Sequence, residues 1–140
     1  MASGFSKAER EAMQQRAEEL RASKGVKGAA KKAKELEACI EAIDKLEGLE
    51  SQIGQLLHRI VTEEAPELDP KTWYGFPSYA RDGKVVVFMQ PGSKFGTRYS
   101  TIGFQEEATI DDGDIFPTSY AVLAVTPAVE KQLRALVARA

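Results

Sequence analysis

Five carboxylates crowd into nine residues of this chain: Glu106, Glu107, Asp111, Asp112 and Asp114. Carboxylates are hard oxygen donors, suited to ferrous iron, magnesium or calcium. No histidine joins them, and their spacing matches no calcium loop. The competing reading is a solvated acidic loop between strands. A second group is aromatic and basic. Trp73, Tyr74, Phe76 and Tyr79 lie close together, and Lys94, Arg98 and Tyr99 follow. Rings can wall a cleft, and cations at its rim can hold a carboxylate or phosphate. Packing between sheet and helices is the competing use of those rings.

A third group is a lysine run: Lys24, Lys27, Lys31, Lys32 and Lys34. It could meet nucleic-acid phosphates without sequence preference. No aromatic in the run offers a base a stacking platform, and a soluble linker explains it as well. His58 is the one histidine and Cys39 the one cysteine. His58 sits at the edge of an apolar stripe, and Cys39 lies within one, which makes it a buried, inert thiol. No nucleophile–base pair and no cofactor motif can be named, so a non-enzymatic role is expected.

The elements that must position these residues follow from periodicity. Ser6 and Glu9 form a capping-box pair opening a helix over about 7–22. Its apolar face is thin, with Met13 and Leu20 the only large residues. Ser23–Gly28 reads as a flexible linker, because two glycines each cost a helix about 1 kcal/mol against alanine. Leu36, Cys39, Ile40, Ile43 and Leu46 then mark a strong helix, which Gly48 is expected to terminate. Leu49, Ile53, Leu56, Leu57, Ile60 and Val61 mark another, closed by Ala65-Pro66. The two should pack as an antiparallel hairpin.

From Thr72 the period changes to that of strands. Pro77 lacks an amide proton, so its strand should be short or at an edge. Asp82-Gly83 is a two-residue hairpin turn. Val85–Met89 is a continuous apolar run, as in a central strand. Arg98–Phe104 and Tyr120–Val125 read as further strands. Thr126 and Pro127 open a last helix with Val129, Leu133, Leu136 and Val137 on its apolar face. Helices, then strands, then a helix make an α+β class: an antiparallel sheet against helices, with an N-terminal helical extension.

Length and charge agree with this division. The chain has 140 residues and a net charge of −2. Residues 1–34 hold nine Lys/Arg against four Asp/Glu, whereas 35–140 hold ten against seventeen. A basic arm and linker (1–34) and an acidic α+β domain (35–140) are therefore expected, the arm being dispensable for folding. One cysteine excludes an internal disulfide framework. No membrane span or signal-peptide core is visible, and a cytoplasmic location is expected.

The stretch Thr72-Trp73-Tyr74-Gly75-Phe76-Pro77-Ser78-Tyr79, the Asp82-Gly83-Lys84 turn and Gln90-Pro91-Gly92-Ser93-Lys94-Phe95-Gly96-Thr97-Arg98-Tyr99 resemble the YdhG-like family of small bacterial proteins. Ile102-Gly103-Phe104, Asp112-Gly113 and Phe116-Pro117-Thr118 fit the same pattern, and the likeness covers about 40–140. The resemblance implies an α+β fold of the YjbR and CyaY (frataxin) type. It implies, for one branch of the family, a frataxin-like iron chaperone. Fold likeness does not transfer activity, and the family offers no catalytic residues to carry over. The expected function is a non-enzymatic YdhG-like protein that binds a metal ion or small ligand, an iron carrier in its sharpest form. The alternative is an interaction or nucleic-acid-associated protein working through the lysine-rich arm.

Overall fold

A computed structural model describes residues 4–25 and 27–140. Helix α1 (Lys7–Ser23) opens with the expected capping box: the Ser6 hydroxyl accepts from the Glu9 amide, and the Glu9 carboxylate accepts from the Ser6 amide. Of the expected linker, Val26 lies outside the described residues. Helix α2 (Gly28–Asp44) begins earlier than its apolar stripe and runs unbroken across the 34/35 position. The alanines at 29, 30 and 33 carry that extension, since alanine has the highest helix propensity. Gly48 does not terminate α2. It opens α3 (Gly48–Glu64) with φ 56°, while Lys45 caps α2. Ala65 closes α3 ahead of Pro66, as expected.

Five strands follow: β1 (Asp69–Trp73), β2 (Phe76–Arg81), β3 (Lys84–Gln90), β4 (Ser100–Phe104) and β5 (Ser119–Val122). A one-turn helix α4 (Gly92–Phe95) links β3 to β4, and α5 (Pro127–Arg139) ends the chain. The strands form one antiparallel meander in the order β1-β2-β3-β4-β5. The fold is α+β, with the helical part at the N-terminus. β4 and β5 are shorter than their sequence signals. β2 is not an edge strand, since it lies between β1 and β3. Pro77 pairs with Thr72 of β1 and falls just outside the β2–β3 register, which begins at Ser78, so its missing amide costs no bond there.

Side chains alternate across the sheet. Tyr79, Val87, Met89, Ile102 and Phe104 belong to one core with Cys39 and Ile43 of α2, Ile53, Leu57 and Ile60 of α3, and Leu133, Leu136 and Val137 of α5. Arg134 of α5 reaches Glu63 and Glu64 of α3 as well as Glu130, which ties the two helices together. Phe88 alternates with Val87 and Met89 and so points to the opposite face. Its ring lies over Gly103 of β4, its cross-strand partner, where a larger residue would collide with it. No helix among the described residues is long and apolar enough to cross a membrane.

Candidate functional site

Trp73 pairs with Phe76, so β1 and β2 join through only two residues, Tyr74 and Gly75. Both lie in the left-handed region, at φ 53° and 84°. Two successive residues of that kind aim their backbone amides the same way. Glu19 of α1 meets them: the Tyr74 amide donates to its Oε1 at 3.2 Å and the Gly75 amide to its Oε2 at 2.8 Å. Arg16, one turn earlier, donates to the same Oε1 at 3.3 Å.

Lys94 comes from α4 and completes this corner. Its ammonium donates to Oε1 of Gln15 on α1 and lies 5.9 Å from the centre of the Phe95 ring. Burial lowers its pKa from the ordinary lysine value, against the pull of Glu11 and Glu19. α4 is itself pinned, because the Ser93 amide and hydroxyl both donate to the Glu50 carboxylate, at 2.9 and 2.7 Å.

Below the turn, α1 and α2 enclose a groove of about 730 Å³. Gln15, Glu19 and Leu20 line it from α1, and Lys31, Lys34, Ala38, Ala42 and Leu46 from α2. Lys71 and Thr72 of β1 and Lys94 of α4 close it. Lys71 is ion-paired with Glu35 at 3.5 Å. The lining is mixed: Ala38, Ala42 and Leu46 are apolar, Arg16, Lys31, Lys34, Lys45, Lys71 and Lys94 are cationic, and Glu18, Glu19, Glu35 and Glu41 are anionic, so the groove can hold an anion where the cations outnumber the carboxylates.

The aromatic candidates divide between the two faces of the sheet. Trp73, Tyr74 and Phe76 cluster, and Phe88 and Phe95 join them. Trp73 lies 5.1 Å from Tyr74, 5.9 Å from Phe76 and 5.4 Å from Phe88, while Phe76 lies 6.2 Å from Phe95. Tyr79 is not with them. It is fully buried on the helix side, with its hydroxyl 3.0 Å from Nδ1 of His58 and 3.9 Å from Sγ of Cys39. Burial pushes the Cys39 thiol up to about 11 and lowers the His58 pKa. Arg98 is apart as well. It lies 5.3 Å over the Tyr99 ring and lines a separate groove of about 400 Å³ with Glu50, Leu49 and Leu123.

The acidic set is dispersed. Glu107 pairs with Lys84 at 3.6 Å, and Glu106, Asp111, Asp112 and Asp114 are exposed. Among the described residues no three His, Cys, Asp or Glu side chains gather as a metal-ligand set. Carboxylates repel one another, and no buried donor draws these five together. The lysine run is dispersed too. Lys31 and Lys34 face the groove, Lys32 pairs with Asp69 at 3.7 Å, and Lys24 and Lys27 are exposed.

Glu19, Gln15 and Lys71 escaped sequence reasoning. Tyr74-Gly75 did carry a signal, since two residues with Gly second between aromatics fit a tight hairpin. Glu19 carried none, because its partners lie 55 and 56 residues away. No family model, no curated protein and no solved structure matches the chain.

Proposed function

We propose that the protein is a non-enzymatic binder, YdhG-like in character, of a small anionic ligand, and that the ligand lies in the groove between α1 and α2. The observation that carries this reading is the convergence of Lys31, Lys34, Lys71 and Lys94, from three different elements, on one groove that Ala38, Ala42 and Leu46 also line. Lys71 is shared with Glu35, and Glu18, Glu19 and Glu41 are the other carboxylates of the lining. The cations attract and orient an anion, and Ala38, Ala42 and Leu46 receive its carbon skeleton. Iron carriage draws less support, because Glu106, Glu107, Asp111, Asp112 and Asp114 do not gather. Nucleic-acid binding also draws less, because the lysine run is split between the groove, an ion pair and solvent.

A thermal-shift panel on the full chain tests the reading, with carboxylates, phosphates, nucleotides and ferrous iron. A ligand at a hundred times its Kd stabilises the fold by about 2.7 kcal/mol through mass action. Anionic compounds are expected to raise Tm, and Lys34→Glu to remove most of the rise. Stabilisation by ferrous iron alone, lost on replacing Asp111, Asp112 and Asp114, would restore the iron carrier. Steeply salt-dependent DNA binding, lost on replacing Lys24 and Lys27, would favour the nucleic-acid alternative.

A further inference from the structure

We propose that the amide pair of the β1–β2 turn is a carboxylate-binding site, that Glu19 occupies it as an internal stand-in, and that an external carboxylic acid takes it by displacing α1. The inference rests on the groove reading: α1 gives up its wall of the groove, Lys31 and Lys34 of α2, Lys71 of β1 and Lys94 of α4 stay, and the chemical class they accept is named.

The turn has the form of an anion nest. Successive residues in the left-handed region present neighbouring N–H groups to one point, and such nests bind anions through main-chain dipoles alone. Here the Tyr74 and Gly75 amides each take a different oxygen of one carboxylate, at 3.2 and 2.8 Å. A planar group with two oxygens about 2.2 Å apart fits two parallel donors, the geometry of bidentate carboxylate recognition. The turn keeps Tyr74 at φ 53°, a conformation that an aromatic residue rarely adopts. Strain of this kind persists where surrounding structure demands it, and it clusters at ligand clamps.

The occupant is held in a way that permits exchange. Of the α1 side chains only Ala12 is buried, while Leu20 and Met13 are 55% and 38% exposed. The helix docks instead through Glu19 on the turn and Gln15 on Lys94, polar contacts that a ligand can replace. Glycines with positive φ at 25 and 28 flank its connection to α2. Once α1 leaves, the Trp73–Phe76 pair still closes the turn, and the incoming carboxylate takes over the part of Glu19 in holding its two donors. Lys94 loses Gln15, Glu11 and Glu19 together and becomes the cation beside them. Trp73, Tyr74 and Phe95 supply the apolar wall next to the nest. An incoming carboxylate therefore meets the same two amides, a cation without its former acidic neighbours, and rings for its carbon body.

The test uses the full chain with glutarate as probe, acetate and inorganic phosphate as comparators, and constant ionic strength. Amide resonances of Tyr74 and Gly75 report the nest, those of Ala12 and Gln15 report α1, and fluorescence of Trp73, the only tryptophan, reports the wall. Glutarate is expected to shift the Tyr74 and Gly75 amides, with Ala12 and Gln15 moving at the same concentrations. Glu19→Ala and Glu19→Gln should each lower the half-saturating concentration at least tenfold, and Lys94→Gln should raise it in both backgrounds. Glu19→Gln keeps the side-chain shape, so it retains the test where the alanine variant unfolds the arm. Equal affinity in wild type and both Glu19 variants would overturn the proposal, as would amide shifts confined to other parts of the chain. Binding that Lys34→Glu weakens and the Glu19 variants leave unchanged would retain the groove and reject its internal occupant. Phosphate outcompeting glutarate at the two amides would reject the carboxylate class.

Discussion

Two tight turns of nearly identical backbone geometry have opposite surroundings. Tyr74-Gly75 and Asp82-Gly83 are both two-residue connections, with φ values of 53° and 84° in one and 51° and 80° in the other. Asp82 and Gly83 stand in solvent, with open space around the Gly83 α-carbon. Tyr74 and Gly75 are half-buried beneath α1, with a glutamate on their amides and the Gln15 side chain against the glycine. Aspartate tolerates the left-handed region and can form such a turn unaided. Tyrosine tolerates it poorly, at a cost of about 1–2 kcal/mol, so the first turn relies on tertiary contacts. The same local shape is autonomous in one place and enforced in the other.

Glycine substitution exposes the difference most. Gly75→Val meets both the positive φ and the Gln15 side chain, and it should cost about 3 kcal/mol in chemical denaturation. Gly83→Val meets the backbone penalty alone and should cost about 1 kcal/mol. Equal losses would mean that α1 does not bear on the first turn.

Glu19→Ala should come next, at about 1 kcal/mol, because it removes two charge-assisted bonds to the turn amides and the Arg16 pair at a partly exposed site. The loss should be confined to α1 and the first turn, read as faster amide exchange there, with Asp82 and Gly83 unchanged. Global destabilisation would make α1 an integral part of the core and not a docked arm.

The helix-covered face provides the control. Cys39 is fully buried, and its thiol is pushed up to about 11, so it should label slowly in the native state at pH 8 and rapidly in denaturant. Glu19→Ala should leave the native rate unchanged, because α1 does not cover Cys39. A large acceleration would show that the two faces open together.

The smallest effect is a pH dependence on that same face. Burial holds the His58 pKa below its usual 6.5, so the unfolded chain takes up the proton first. His58 therefore contributes stability that is complete above pH 6.5 and is lost as the pH falls through its folded value. The slope stays well under the single-proton limit of about 1.4 kcal/mol per pH unit, since the ring is half exposed. His58→Gln should flatten it, and an unaltered slope would assign it to other groups.

Periodicity and end signals reach much of this fold without a structure. Ser6 with Glu9, and Thr126 with Pro127, are local devices: cap and capped amide lie three residues apart. Asp82-Gly83 is local too. The class of the protein follows, because apolar stripes at helical spacing and a strand-period meander each demand burial on one face. The candidate site was less legible. Trp73, Tyr74 and Phe76 do gather, yet Tyr79 faces the other way, because it lies three positions after Phe76 on β2 and side chains at odd offsets along a strand point to opposite faces.

By sequence alone the chain determined most of its helices and strands, though not α4 or the start of β1 at Asp69, together with its antiparallel class and the basic character of its N-terminal part, since each of these depends on neighbours within a few residues. Only the tertiary structure decided that Glu19 sits on a turn 55 residues away, that Lys31 and Lys34 share a groove with Lys71 and Lys94, and that the five clustered acids stay apart. The physical reason is range. Caps, periods and turns are settled by bonds between near neighbours, whereas a carboxylate finds a distant amide pair only after the packing of α2 on the sheet has placed both ends.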